Sequence, residues 1–387
     1  MPPKKIGPYQ IEATLGRGGI GTVYRALDKR TGETVALKLL SAGPALHPTA
    51  ALRLAREFEA LAEINHPNIV RVIDTGVHEG YPYLAMELID GLDLRAWLSV
   101  DLSGPIEAIS AFRELLTSSQ ERIAQADETP WEEGGSADRR ARPFGLDGWA
   151  NEPDTDAGSL PPLVHGKREG VGALRALAKL ADEPDTNDFE PGATDPSLYA
   201  PSPPRAPPAP IDAVQIAGLN RPERISRLKD AAQQLCLALA YIHGRGLVHR
   251  DVKPANVLVT EDRHVKLMDF GLAKYLAAES NVTETRRIVG TYRYMSPEQA
   301  LGEKLDGRAD LYSLGVVLYE LLCGRPPFDA HTPQELWLRV MESEAPSPGA
   351  VNPKVDYTLA LVAHRLLRRD PEERYQTAEE VYDALLE

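Results

Sequence analysis

Four short stretches of the 387-residue chain carry residue types at spacings suited to phosphate chemistry. In Gly16-Arg17-Gly18-Gly19-Ile20-Gly21-Thr22-Val23 the glycines remove side chains where backbone N–H groups must approach phosphate oxygens. That pattern alone is a weak signal. A dinucleotide fingerprint needs a helix directly after the glycines, whereas Thr22-Val23-Tyr24-Arg25-Ala26 reads as a strand. No glycine precedes Lys-Ser or Lys-Thr at Walker A spacing either. Val35-Ala36-Leu37-Lys38 is an apolar strand ending in one lysine. Antiparallel pairing across the turn Lys29-Arg30-Thr31-Gly32 would bring Lys38 beneath the glycine loop, where a cation neutralises phosphate charge. Glu57 on the following helix is its natural counter-ion, with Glu59 and Glu63 as competitors.

The densest signal is His249-Arg250-Asp251-Val252-Lys253-Pro254-Ala255-Asn256, followed by Asp269-Phe270-Gly271. Two carboxylates and an amide from neighbouring loops supply what phosphoryl transfer requires. One group accepts the hydrogen bond of an incoming hydroxyl, and oxygen ligands hold Mg²⁺ against the phosphates.

These motifs need elements to position them. Tyr9 to Leu15, Gly21 to Ala26 and Thr34 to Leu40 read as strands, and Ala50 to Ile64 has helical periodicity through Leu54, Phe58 and Leu61. From Asn220 onward helices dominate. Asn220 with Glu223 reads as a capping box ahead of a stripe of Ile225, Leu228, Leu235, Leu239 and Ile242, and Thr377 with Glu380 caps a last helix. Between them the composition shifts. Residues 101–222 hold 16 of the 32 prolines and 21 acids against 11 bases, so most of the net charge of −14 lies there. Pro201 to Pro210 is a polyproline II stretch, and the acidic runs around it read as disordered, interrupted by helices over Ile106–Ile123 and Val171–Leu180. The acidic balance argues against a nucleic-acid partner. Cys236 and Cys323 lack metal spacing and fit a reducing, cytoplasmic setting as buried hydrophobes. No signal peptide opens the chain, and the most apolar stretch, Leu311 to Gly324, is too short to span a bilayer.

Taken together, GRGGIGTV, VALK, HRDVKPAN, DFG, GTYRYMSPEQ, DLYSLG and DPEERY resemble the motif set of a bacterial eukaryotic-type (Hanks-type) serine/threonine protein kinase over residues 9–100 and 222–387. The resemblance implies a bilobal α+β fold. Residues 1–90 would form a β-rich N-lobe of about five antiparallel strands and one helix. Residues 91–100 and 222–387 would form a larger, mainly α C-lobe, with 101–221 an acidic, Pro-rich insertion on its surface.

It also implies roles. Leu15, Gly16, Arg17, Gly18, Gly19, Ile20, Gly21, Thr22 and Val23 cover the phosphates of ATP, and Lys38 contacts them while paired to Glu57. Met86 is the gatekeeper, Glu87 and Ile89 bind adenine through their backbone, Val23, Ala36 and Leu258 sandwich the ring, and Asp93 reaches the ribose. Asp251 orients the acceptor hydroxyl, Lys253 supports the transferring phosphoryl group, and Asn256 and Asp269 hold Mg²⁺, for which Mn²⁺ can substitute. Lys253 two residues after Asp251 favours Ser/Thr over Tyr acceptors. Thr291 lines the acceptor pocket, Glu298 pairs with Arg374, and Asp310 braces the catalytic loop. Arg250 implies control by phosphorylation at Thr283 or Thr285, through a transient homodimer, with other proteins as substrates. A non-catalytic ATP-binding scaffold and a small-molecule kinase are the competing readings. No catalytic position is substituted, which disfavours the scaffold. The Lys253 and Ser296-Pro297-Glu298 pattern disfavours the small-molecule kinase.

Overall fold

Alternation of apolar residues builds the first part of the chain into a sheet. The computed structural model describes residues 3–18, 21–40, 61–100, 212–269, 292–330 and 332–387, all within one unit of the chain. Strands β1 (Lys5–Ile6), β2 (Tyr9–Gly18), β3 (Gly21–Asp28), β4 (Thr34–Leu40), β5 (Val72–His78) and β6 (Tyr81–Glu87) form one antiparallel sheet in the order β1-β2-β3-β4-β6-β5. The sheet has six strands where the motifs implied about five. The additional strand, β1, is two residues long and folds back on β2 through Gly7 at φ +53°. Two residues give no periodicity to read.

The period of two sorts the faces of this sheet. Val35 and Leu37 of β4 enter a core with Ile6, Tyr9, Tyr24, Ala26, Tyr83 and Ala85. Ala36 and Lys38 alternate with them and face the other way, toward the second half of the chain. Gly21 is required by packing: a Cβ there would stand 2.1 Å from the Leu39 carbonyl oxygen across the β3–β4 pair. Of the helix expected over 50–64, only its end is described, where Leu61 and Ala62 are helical and Leu61 and Ile64 are buried.

The second half is helical, with a small sheet β7 (Gly91–Asp93), β8 (Val257–Thr260), β9 (Val265–Leu267) in that order. Its helices are α1 (Leu94–Ser99), α2 (Ala213–Leu219), α3 (Pro222–His243), α4 (Pro297–Ala300), α5 (Gly307–Cys323), α6 (Pro333–Glu342), α7 (Pro348–Val351), α8 (Tyr357–Leu366) and α9 (Ala378–Leu386). Helix α5 contains the most apolar stretch of the chain and is buried on every face, as an all-round hydrophobic helix must be. Gly315 lets α8 approach it, since a Cβ there would meet Leu366 Cβ at 2.6 Å. No helix among the described residues is long and apolar enough to cross a membrane.

Two local expectations change. Asn220 does not cap α3. It ends α2, donating from Nδ2 to the Ile216 carbonyl at 2.6 Å and to Asn352 Oδ1 at 2.9 Å. Arg221 takes the cap position without a side-chain bond, because Pro222 at the first helical position sets the start. Helix α2 itself lies in the range read as insertion. The helices expected over 106–123 and 171–180 lie outside the described residues. The Thr377 cap is present, with its Oγ1 accepting from Glu380 N at 3.2 Å.

The two halves are stitched by backbone. Val70 N–H donates to the Leu267 carbonyl at 2.9 Å, and Leu267 N–H to the Asn68 carbonyl at 2.8 Å. Asn68 Nδ2 adds bonds to the Val265 carbonyl at 3.0 Å and Gln234 Oε1 at 2.9 Å. These bonds fix the sheet's lower face against β9, the strand that delivers Asp269.

Candidate active site

From above, β4 delivers Lys38, whose side chain is 5% exposed, and from below the turn after β9 delivers Asp269. Lys38 Nζ lies 2.8 Å from Asp269 Oδ1. A buried ammonium needs such a partner. Asp269 holds φ +62°, a left-handed conformation costly for a non-glycine residue. Asp269 Oδ2 accepts from none of the described residues.

The stretch 249–256 is held as a rigid bracket. Asp310 on α5 is fully buried and accepts three bonds: Oδ2 from His249 N–H at 2.7 Å and His243 Nε2 at 2.8 Å, and Oδ1 from Arg250 N–H at 2.7 Å. Those contacts fix Arg250 at φ +68° and set the direction in which the next residue leaves. His249 is buried, its Nε2 facing the Met268 carbonyl at 3.1 Å while Nδ1 accepts from Asp251 N–H at 3.3 Å. Those partners select the neutral ring with its proton on Nε2. Burial lowers the His249 pKa, in the same sense.

Within the bracket, Asp251 Oδ2 accepts from Lys253 Nζ at 2.7 Å and from Asn256 Nδ2 at 2.8 Å. Asn256 Nδ2 also reaches the Asp251 carbonyl at 2.8 Å, which turns its amide oxygen away from that carbonyl. Met268 N–H donates to the Asn256 carbonyl at 2.9 Å, tying this loop to the residue before Asp269. Asp251 Oδ1 accepts from none of the described residues. Lys38, Asp269, Asn256, Lys253 and Asp251 thus form one linked set of charged and amide groups. It can neutralise a polyphosphate, hold a hard cation through oxygens and orient a hydroxyl.

Beside this set lies an apolar slot separate from both cores. Ala36, Val70 and Met86 are buried there, with Leu15, Val23, Leu88, Ile89 and Met268 packed against them. Leu258 alternates with the core residues Val257 and Val259 on β8. Glu87 N–H is spent on the Arg71 carbonyl at 3.0 Å, and Glu87 Oε1 accepts from Arg71 N–H at 2.9 Å and Lys266 Nζ at 2.8 Å. Asp93 Oδ1 caps α1 through Arg95 N–H and Ala96 N–H at 2.9 and 3.0 Å. Gly16, Arg17 and Gly18 pair with Val23, Thr22 and Gly21 in the β2–β3 hairpin above the slot. Gly19, Ile20, Glu57, Glu59, Thr283, Thr285 and Thr291 lie outside the described residues, and Glu63 is exposed.

The family profile described as protein tyrosine and serine/threonine kinase matches residues 9–383. The chain belongs to this protein kinase family. It is 30% identical to the probable serine/threonine-protein kinase SCO3848 of Streptomyces coelicolor, over 98% of this chain and 40% of that one. It is also 30% identical to the serine/threonine-protein kinase PknB of Mycobacterium leprae, over 98% and 43%. The chain therefore spans about two fifths of the length of these relatives. The kinase domain of Mycobacterium tuberculosis PknI, 22% identical, superposes with a TM-score of 0.51 over 98% of this chain and 95% of that one, a likeness of fold.

Among the described residues, a further buried ion pair lies away from the crevice. Arg374 is 0% exposed and meets Glu298 in a two-pronged bond, Nη1 to Oε1 at 2.7 Å and Nη2 to Oε2 at 2.9 Å. Its other donors reach the carbonyls of Arg368, Arg308 and Arg369 at 2.7, 3.0 and 2.8 Å, which satisfies the whole guanidinium. Three participants escape a reading of the sequence. Val70 and Met268 enter the apolar slot from segments whose local pattern gives no sign of it. Arg227 of α3 donates to the carbonyls of Trp97 and Val100, both at 3.0 Å, and so closes the end of α1.

Proposed function

We propose that this chain is a serine/threonine protein kinase that transfers the γ-phosphoryl group of Mg-ATP to protein hydroxyls. The observation that carries the reading is the 2.8 Å pair between Lys38 and Asp269, joined through Met268 and Asn256 to Asp251. It puts a cation, oxygen ligands and a proton acceptor at one crevice beside an apolar slot.

The donor set fits Mg²⁺. That ion takes one or two carboxylates plus substrate phosphates and waters rather than an all-protein cage, and Asp269 with the Asn256 amide oxygen matches this need. Among the described residues no group of three or more His, Cys, Asp or Glu offers a competing cage. When bound, Mg²⁺ neutralises phosphate charge. The chain's own residues do the rest. Lys38 binds the α- and β-phosphates, and the β2–β3 hairpin covers them. Val23, Ala36, Met86 and Leu258 exclude water around adenine. Because Glu87 N–H is occupied, its carbonyl is the group that serves the adenine amino group, with Ile89 as the second backbone contact. Asp251 Oδ1 orients the acceptor hydroxyl and takes its proton, while Lys253 compensates charge on the moving phosphoryl group. Positioning and electrostatics therefore carry the rate. Asp93, through its remaining oxygen, serves the ribose, and Glu57 holds Lys38 in the working state.

Activation follows from autophosphorylation at Thr283 or Thr285 within a transient homodimer, with Arg250 as the phosphate's partner. Incubation with Mg-ATP and a generic basic protein tests the reading. Label on serine or threonine that disappears with chelator is the expected result, together with phosphate at Thr283 or Thr285 by peptide mapping. Incorporation that ignores the chelator, or label on tyrosine alone, would overturn it.

A further inference from the structure

Beside the loop that carries Asp251, two buried side-chain atoms have no hydrogen-bond partner among the described residues: Arg250 Nε and Gln299 Oε1. Such atoms are uncommon in folded proteins and call for a physical reason.

Gln299 lies on α4, and its Nε2 donates to the Arg250 carbonyl at 3.0 Å. A carbonyl only accepts, so the NH₂ must face it and Oε1 must turn into the interior. Methionine, unbranched and of similar length, would exchange one unpaired acceptor for another: Oε1 would be gone, and the Arg250 carbonyl would be left without its donor. The amide therefore brings little net stability. What it brings is the placement of the Arg250 carbonyl.

That carbonyl belongs to the peptide leading into Asp251. The other end of the same peptide, Asp251 N–H, donates to His249 Nδ1 at 3.3 Å, and Arg250 N–H donates to Asp310 Oδ1 at 2.7 Å. Arg250 holds φ +68°, which a non-glycine residue keeps only where its surroundings enforce it. Since Arg250 Nε makes no bond among the described residues, the backbone contacts do the holding. Gln299 supplies the one at the carbonyl, and it is itself fixed. Its own N–H donates to Ser296 Oγ at 3.3 Å, and Glu298 beside it takes the two-pronged bond from Arg374.

We propose that Gln299 is a positioning residue for phosphoryl transfer. Through the Arg250 carbonyl it sets the plane of the Arg250–Asp251 peptide, and with it the aim of the Asp251 carboxylate at the acceptor hydroxyl. The role rests on Asp251 being the group that receives the acceptor's proton. Acting through Arg250, Gln299 affects the transfer step and leaves ATP affinity alone.

A double-mutant cycle on the full chain, with Gln299→Met and Asp251→Asn, tests this. It is read by single-turnover transfer of labelled γ-phosphate to a generic basic protein, by calorimetric ATP binding and by thermal melts. Gln299→Met should melt within about 3 °C of the parent and bind ATP with parental affinity. It should transfer about tenfold more slowly, the order that one hydrogen bond felt only in the transition state supplies. In the Asp251→Asn background the same substitution should change the residual rate by less than about twofold, because residues acting as one unit do not add. Gln299→Leu should give the same pattern. A large fall in melting temperature, an equal loss of rate in both backgrounds, or a parental rate for Gln299→Met while Asp251→Asn is impaired would each overturn the proposal alone. Asp251→Asn at the parental rate would instead remove the reading of Asp251, and the role of Gln299 with it.

Discussion

Replacing Asp310 by Asn removes one charge and almost no volume, and the structure says what that costs. The carboxylate accepts from His249 N–H, Arg250 N–H and His243 Nε2 at 2.7, 2.7 and 2.8 Å, with no exposure to water. An amide has one oxygen, so its NH₂ must face at least one of these donors. One charge-assisted bond is lost and the others become neutral. At roughly 1.5–3 kcal/mol for a bond to a charged group against about 1 for a neutral one, the loss is roughly 3–5 kcal/mol. For a folded unit of this size each kcal/mol shifts Tm by about 2–4 °C, so the melting point should fall by roughly 10 °C. Function should fall further than stability. Arg250 at φ +68° is held there by the same carboxylate, at a cost of about 1–2 kcal/mol. Released, it relaxes toward negative φ and carries Asp251 away from the acceptor position. Phosphate-transfer rates measured well below each protein's Tm should drop by at least about tenfold, while ATP affinity changes little. A variant that melts within about 2 °C of the parent and keeps its rate would refute the reasoning.

Arg374→Leu strands the Glu298 carboxylate and three carbonyls in the interior, and should destabilise by roughly 3–5 kcal/mol in urea titrations. Adding Glu298→Leu should recover part of that loss, and a double variant worse than the single would contradict the assignment. His249, buried and neutral, gives a pH dependence. Its folded pKa lies below the unfolded value near 6.5, so the unfolded chain binds the extra proton as pH falls beneath that value. Stability is therefore complete above pH ~6.5 and declines below it by up to about 1.4 kcal/mol per pH unit. Denaturation of the parent and of His249→Gln between pH 7 and 5 isolates this slope. A parent no steeper than the variant would rule it out.

The motifs that meet at the crevice were legible because each is a contiguous run whose spacing survives any distortion of its surroundings. Lys38 could be placed from strand alternation, and Asp310 and Arg374 from the family resemblance. The remainder depends on contacts between residues far apart in sequence. Val70 joins the apolar slot because Leu267 donates to the Asn68 carbonyl and accepts from Val70 N–H across almost 200 positions, and Arg227 finds the carbonyls of α1 across 127 and 130. No local pattern encodes such a meeting. Asn220 was misread for a related reason. It serves equally well at the end of one helix and the start of the next, and the decision falls to Pro222 behind it and Asn352 across the lobe. Strand β1 exists only as the partner of β2, and its two residues carry no signal of their own.

The central claim is that Asp251 acts on the acceptor while Lys38 and Asp269 hold the nucleotide. Single-turnover transfer of labelled γ-phosphate by Asp251→Asn, set beside calorimetric ATP binding by the same protein, tests it most directly. The account predicts ATP affinity near that of the parent and a transfer rate lower by about 10²–10⁴-fold. Transfer at the parental rate, or loss of ATP binding with the rate per bound nucleotide unchanged, would contradict it.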